Sequence, residues 1–274
     1  MKIIRSKSFL TLLITLFIVG FSTSATTLIG YPSFVSLIPA NLFSATELPE
    51  ETNPLFVIYP SGLKEHRLQT KEYVKTYSEK KRNYIIHIFE KGKKFFPKAL
   101  AILEKYEVPM ELQMLPIIES EFNANAVSPV GAVGYWQFMS ELAREYGLST
   151  GGKYDERKNF SKSTTAAAKF FRDQIEYFND DLLLAVSAYN CGPGRVRSSI
   201  KKCGKSNPDF WDIKKYLPAE TRKFVMNFIA LNVISANYEK FIDRKLNFNE
   251  TPVIPLATID LINSKDSIST KKVL

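Results

Sequence analysis

The chain has 274 residues, 45% of them apolar and 24% charged, with a formal charge of +9. That length can bury a full hydrophobic core, and the composition excludes a disordered or fibrous chain. The positive excess suits a polyanionic partner, whether a cell-wall polymer, an anionic membrane surface or nucleic acid.

The N-terminus places Lys2, Arg5 and Lys7 ahead of an apolar run from Phe9 to Phe21, then "STSA" with Thr23 and Ala25 at the small positions. A basic start, an apolar stretch and a small-residue exit predict a secretory signal over residues 1–25. The run falls short of the about 20 residues a spanning helix needs, so an uncleaved anchor, with weak membrane association, is the secondary expectation. No cysteine lies near residue 25, which argues against a lipid-anchored lipoprotein. Removing the three basic residues leaves about +6 on the exported chain. Export, to the periplasm or cell envelope, makes a wall polymer the better partner and nucleic acid the poorer one.

Residues 26–63 hold Pro32, Pro39, Pro49, Pro54 and Pro60 and predict an irregular lead-in. From Leu68 the spacing of Tyr73, Tyr77, Tyr84, Ile88, Leu100 and Leu103 predicts a helical extension of two helices, separated near Gly92 and Pro97. Further helices are expected over 110–121, 138–147, 162–178, 180–190, 194–202 and 219–239. In "STTAAAKFFRDQIEYF" the leading Ser and Thr are capping candidates. In the helix opened by Pro218, Phe224, Phe228, Leu231 and Ile234 share a stripe. After Arg244 the residues 245–274 read as an extended tail. Strand patterns are scarce and the fold class is mostly α.

Cys191 and Cys203 are the two cysteines. In an oxidising compartment they either pair or remain two packing thiols, and the spacing favours neither. His66 and His87 lie far upstream without zinc-ligand spacing, so neither a metal nor another cofactor is expected.

The segment "ESEFNANAVSPVGAVGYWQFM", residues 119–139, carries the chemistry. Glu119 falls beside the apolar stripe Leu112, Leu115 and Ile118, near the C-terminus of a helix that Pro116 should perturb. An apolar setting there raises a carboxyl pKa and makes a proton donor near neutral pH. Glu121 lies two positions on, facing the opposite way and solvated, so it is no catalytic partner. Phe122, Tyr135, Trp136 and Phe138 are available as apolar walls and for stacking on sugar rings. Ser128 and Gln137 offer hydrogen bonds beside Gly131 and Gly134, while Met139 reads from its own pattern as core. Ser128 has no histidine to activate it as a nucleophile. Further on, "AVSAYNCGPGRV" sets Tyr189 and Asn190 at a helix end before a glycine-rich turn that lacks the phosphate-loop lysine.

Taken together, "LPIIESEFNANAVSPVGAVGYWQFM", "YGL", "YDERKN", "TTAAAKFF", "LLLAVSAYNCGPGRV" and "FWDIKKYLPAETRKFV" occur in an order that resembles the lytic transglycosylases with a goose-lysozyme-like SLT domain, in particular the membrane-bound murein transglycosylase D group. The resemblance covers about residues 100–240 and implies a lysozyme-like helical catalytic domain over 100–244. It implies that Glu119 is the single catalytic acid. Ser128 and Gln137 are implied to line the sugar site, Met139 to lie at the cleft, and Tyr189 with Asn190 to form the pair near the acid. The implied substrate is the glycan strand of peptidoglycan, cleaved between N-acetylmuramic acid and N-acetylglucosamine without water to leave a 1,6-anhydro end. A hydrolytic muramidase on the same fold and a non-catalytic wall-binding protein are the alternatives. Many members of the D-type group carry LysM wall-binding repeats after the catalytic domain. Here about 30 residues follow Arg244, so wall targeting is expected to come from elsewhere or to be weak.

Overall fold

The computed structural model describes residues 57–248, so the expected signal sequence, most of the proline-rich lead-in and nearly all of the tail lie outside the described residues. The described part is helical, and the mostly α expectation holds. Two isolated bridges, Val127 with Val133 and Val133 with Phe138, are its only extended pairing among the described residues.

A 3-10 turn at Ser61–His66 leads into α1 (Arg67–Lys80), α2 (Arg82–Gly92) and α3 (Phe96–Lys105). The extension therefore has three helices where two were expected. The extra break falls at Lys81, within "SEKKRN", where no apolar residue is available to carry a buried stripe across the joint. Pro97 falls in the first turn of α3, where a missing N–H costs no helical hydrogen bond.

The expected helix over 110–121 divides for the same reason. Met110–Met114 is a 3-10 turn, and α4 (Leu115–Ser120) restarts with Pro116 in its first turn. Then follow α5 (Ser140–Glu145), α6 (Phe160–Tyr177), α7 (Leu182–Cys191), α8 (Pro193–Cys203), a short α9 (Phe210–Ile213), α10 (Ala219–Ala236) and α11 (Tyr238–Ile242). The cap of α6 is Asn159, whose side chain accepts from Lys162 N. Ser163 and Thr164 instead lie inside the helix, with their hydroxyls donating back to Asn159 O and Phe160 O.

Two helices form the centre. In α10, Phe224, Val225, Met226, Phe228, Ile229, Leu231, Val233 and Ile234 are all buried, so the helix is apolar on nearly every side rather than along one stripe. In α7 every residue from Leu182 to Ala188 is buried. A helix without a polar face belongs inside a protein. Around them α1 packs along α10, and α6 packs between α3 and α7. Ala166, Ala167 and Ala168 allow α6 its close approach. One continuous core runs from Val57 to Phe248, so the helical extension shares it. Among the described residues no helix is long and apolar enough to cross a membrane.

The open pairing of Cys191 and Cys203 resolves as two free thiols. The start of the described chain is tied to the end of α10 by Asn237, which is 4% exposed. Its Oδ1 accepts from Ile58 N at 2.8 Å, and its Nδ2 donates to Ile58 O and Val233 O, both at 2.7 Å. Replacing Asn237 by alanine removes all three bonds and leaves buried polar groups unmatched. Urea unfolding of Asn237→Ala is expected to show a loss of about 2–3 kcal/mol, with the fold otherwise kept.

Candidate active site around Glu119

Helix α4 has only six residues, and its end is fixed by the chain that follows. Glu121 and Phe122 both adopt left-handed backbone, with φ of 52° and 55°. Such conformations persist in non-glycine residues only when their surroundings hold them. Phe122 supplies the hold. It is 4% exposed, stacks on Phe95 with ring centres 4.8 Å apart and meets Phe96 edge-on at 5.5 Å. Ser120 adds a bond from its hydroxyl to Tyr135 O at 2.8 Å, which joins the end of α4 to the following loop.

Glu119 is thereby held with part of its surface open while protein surrounds nearly all of its carboxyl. Burial, with a smaller contribution from the negative charge of Glu220, pushes its pKa from the usual carboxylate range up to about 8. No cation pairs with it among the described residues. A carboxyl in that condition holds its proton at neutral pH and can donate it. Glu121, as expected, is exposed.

Tyr189, in the last turn of α7, lies beside the acid. Burial, and the charge on Glu119, raise its phenol well above the ordinary value. Its hydroxyl donates to Trp136 O at 2.5 Å, and its ring stacks on Phe171 at 5.0 Å. Asn190 faces α10, where its Oδ1 accepts from the hydroxyl of buried Thr221 at 2.8 Å. The next residue back, Glu220, is exposed in the first turn of α10. The structure thus brings Glu119, Tyr189, Asn190 and Glu220 to one place, where the ends of α4 and α7 meet the start of α10.

Ser128, Gln137 and Met139 sit on the loop between α4 and α5. The Ser128 hydroxyl accepts from Ala132 N at 3.0 Å, closing a tight turn, and its own hydrogen is left to donate. Gln137 Nε2 donates to Ala126 O and Gly134 O, so its amide nitrogen braces the loop and only Oε1 is left for a ligand. Met139 is 41% exposed, which overturns the reading of it as core and agrees with a place at the cleft. The aromatic walls need correction as well. Trp136, Phe138 and Phe122 are 0%, 1% and 4% exposed and belong to the core, with the Trp136 indole donating to Thr164. Only Tyr135 of the four is partly exposed.

Glu220 and Ser120 were missed from sequence. A glutamate in the first turn of a helix is what the helix dipole favours anywhere, so "PAET" carried no distinguishing sign.

Comparison with known proteins gives the arrangement a family. Residues 99–211 match the model of the transglycosylase SLT domain. The chain is 40% identical over 141 residues to membrane-bound lytic murein transglycosylase D of Escherichia coli (strain K12), an alignment covering 51% of this chain and 31% of that protein. It is 36% identical over 113 residues to a putative tributyltin chloride resistance protein of Alteromonas sp. (strain M-1), covering 41% of this chain and 55% of the relative. The chain thus spans between about a third and about half of the length of these relatives. Among solved structures, an inactive mutant of lytic transglycosylase Slt from Pseudomonas aeruginosa aligns at 24% identity and a TM-score of 0.45, covering 53% of this chain and 24% of that one. The segment that carries Glu119, the loop after it and the Tyr189–Asn190 pair lies within the residues that match the transglycosylase SLT domain.

Proposed function

We propose that this chain is a peptidoglycan lytic transglycosylase that acts in the cell envelope, with residues 100–244 as the catalytic unit and the preceding helices as its buttress. The observation that carries the reading is Glu119, a surrounded carboxyl without a cation, at the meeting point of α4, α7 and α10. It protonates the glycosidic oxygen between N-acetylmuramic acid and N-acetylglucosamine. The C1–O bond breaks, and the muramic ring becomes oxocarbenium-like, with its own 2-acetamido group stabilising C1. Glu119, now ionised, accepts the proton of the C6 hydroxyl while that oxygen bonds to C1. A 1,6-anhydro end results, no water is consumed, and Glu119 ends protonated as it began.

In this reading Ser128, Gln137 Oε1 and Met139 contact the sugars from the loop. Tyr189 and Asn190 shape the wall beside the acid, and the hydroxyl bond of Tyr189 to Trp136 O keeps that wall fixed. Glu220 gives the hydrolytic alternative its one handle, because a second carboxylate near the first can serve a muramidase by activating water.

Mass spectrometry of muropeptides released from purified sacculi by the exported chain separates these readings. Anhydro products, about 18 Da lighter than hydrolytic ones because no water is added, are expected from the wild type and none from Glu119→Gln. Reducing ends would make the protein a muramidase. Binding of sacculi without release by either protein would favour a wall-binding role.

The pH dependence gives a second test. Glu119 must start protonated, so kcat/KM should hold through neutrality and fall on the alkaline side with an apparent pKa of about 8. Because the negative charge of Glu220 helps keep the proton on Glu119, Glu220→Gln should move that limb to lower pH. A limb that stays in place would remove Glu220 from the acid's surroundings.

Stability should follow the same proton. A carboxyl whose pKa is raised on folding disfavours the folded state increasingly as pH climbs from its unfolded value of 4.5 towards about 8. Thermal unfolding of Glu119→Gln is therefore expected to match the wild type near pH 4 and to exceed it near pH 8.

A further inference from the structure

The block "YDERKN" belongs to the family pattern, yet none of its residues enters the chemistry above. In the fold it forms a clamp on the loop that carries Ser128, Gln137 and Met139. Arg157 is 5% exposed, and its guanidinium serves three partners. Nε and Nη2 hold the Asp155 carboxylate, with Nη2 to Oδ2 at 2.6 Å. Nη1 donates to Phe138 O at 3.0 Å and to Gly131 O at 3.3 Å, one near each end of the stretch 131–138. The backbone of Arg157 completes the contact. Its carbonyl oxygen lies where a Cβ on Gly134 would come within 2.1 Å, so the two segments touch with no room for a side chain between them.

The gripped stretch needs a grip. Within seven residues Gly131, Gly134 and Gln137 have φ of 87°, 83° and 49°. Gln137 is not a glycine, so its conformation has to be held from outside. The neighbouring bonds along the stretch, Val133 N to Phe138 O and Gln137 N to Gly134 O, are its own short turns and do not anchor it to the body of the protein. Ser120, Tyr189 and Thr164 tie its middle, at Tyr135 and Trp136, and Arg157 ties its two ends. Asp155 in turn is fixed by amides from Gly151 and Arg157, so the guanidinium is oriented before it meets the loop.

We propose that Arg157, oriented by Asp155, is a positioning residue for the substrate wall, holding residues 131–138 in the one conformation that presents Ser128, Gln137 and Met139 to a glycan strand. The assignment rests on the transglycosylase reading above. Arginine is required because its planar fork reaches a carboxylate and two carbonyls at once. Lysine keeps the charge but directs all its donors from a single nitrogen.

The test compares wild type, Arg157→Lys and Asp155→Asn well below their unfolding temperatures. It measures kcat and KM on sacculi and amide hydrogen exchange across the chain. For Arg157→Lys we expect KM to rise about tenfold or more, since small displacements of binding groups are costly, while the alkaline limb set by Glu119 stays in place. Exchange should quicken over residues 126–139 and stay at wild-type rates in α7 and α10. Asp155→Asn should shift the same quantities in the same direction by less, because both carbonyl bonds survive. Wild-type KM and loop exchange in Arg157→Lys, even with a lower unfolding temperature, would reduce the clamp to a stabilising ion pair and overturn the proposal. If Arg157→Lys does not fold, Asp155→Asn decides on the same readouts. A wild type that releases nothing from sacculi defeats the transglycosylase reading instead, and the exchange comparison then decides the clamp without it.

Discussion

A carboxyl group surrounded by protein and given no cation among the described residues is the constraint on which the rest of this structure depends. Ionising Glu119 where it stands is unfavourable, and that penalty keeps its proton in place at neutral pH. Nothing local could produce this. Helix α4 is six residues long and would not persist alone. The dry surroundings come from α7 and α10, both apolar on nearly all sides, and from Phe122, which locks the turn after α4 into a cluster with Phe95, Phe96 and Phe160. Core packing and acid strength are therefore one property. A cavity opened beside Tyr189 or Phe122 would admit water and return Glu119 towards an ordinary carboxyl.

The second requirement is opposite in kind. In the proposed function a polymer has to reach the acid, so one wall must be a loop open to solvent. Loops are easily deformed, and this one contains several left-handed backbone positions. Its order comes from polar bonds to backbone as well as from the burial of Trp136 and Phe138. Ser128 closes one turn, Gln137 braces Ala126 and Gly134, Ser120 and Tyr189 bind Tyr135 O and Trp136 O, and Arg157 takes Gly131 O and Phe138 O. Buried carbonyls need such donors in any case. Here the same donors fix the geometry of a site, so groups that satisfy the backbone also prepare it for a ligand.

Much of the fold was legible because helical spacing survives in single sequences, and the long segments that became α6, α7 and α10 were found from it. What escaped was the joint at Lys81, where a short polar run inside a helical pattern does not by itself mark a break, whereas the restart at Leu115 is the perturbation that Pro116 led one to expect. Within the site, the setting of Glu119 was readable because the apolar stripe runs up to it. The directions of Trp136, Phe138 and Met139 were not readable. Along a loop with φ of 83° at Gly134 and 49° at Gln137, neither the period of two nor that of 3.6 applies, so alternate residues do not share a face. Tertiary neighbours such as Thr164, far along the chain, decide which ring goes inside.

Glu220 completes the electrostatic logic. Two carboxylates near one another need not behave alike, because each answers to its own surroundings. Glu119 sits at the C-terminal end of α4, where the helix dipole adds nothing in favour of a negative charge, and protein closes around it. Glu220 sits in the first turn of α10, exposed to water and at the end of a helix that welcomes an anion. A charge stationed there makes it harder for Glu119 to ionise. In the proposed reaction the same charge would favour the positive character that builds up on a sugar ring as its glycosidic bond breaks. One exposed glutamate at a helix start can thus help hold the proton in the resting site and ease the charge that follows its transfer. In the proposed reaction a single buried acid is then sufficient, because the substrate supplies the nucleophile.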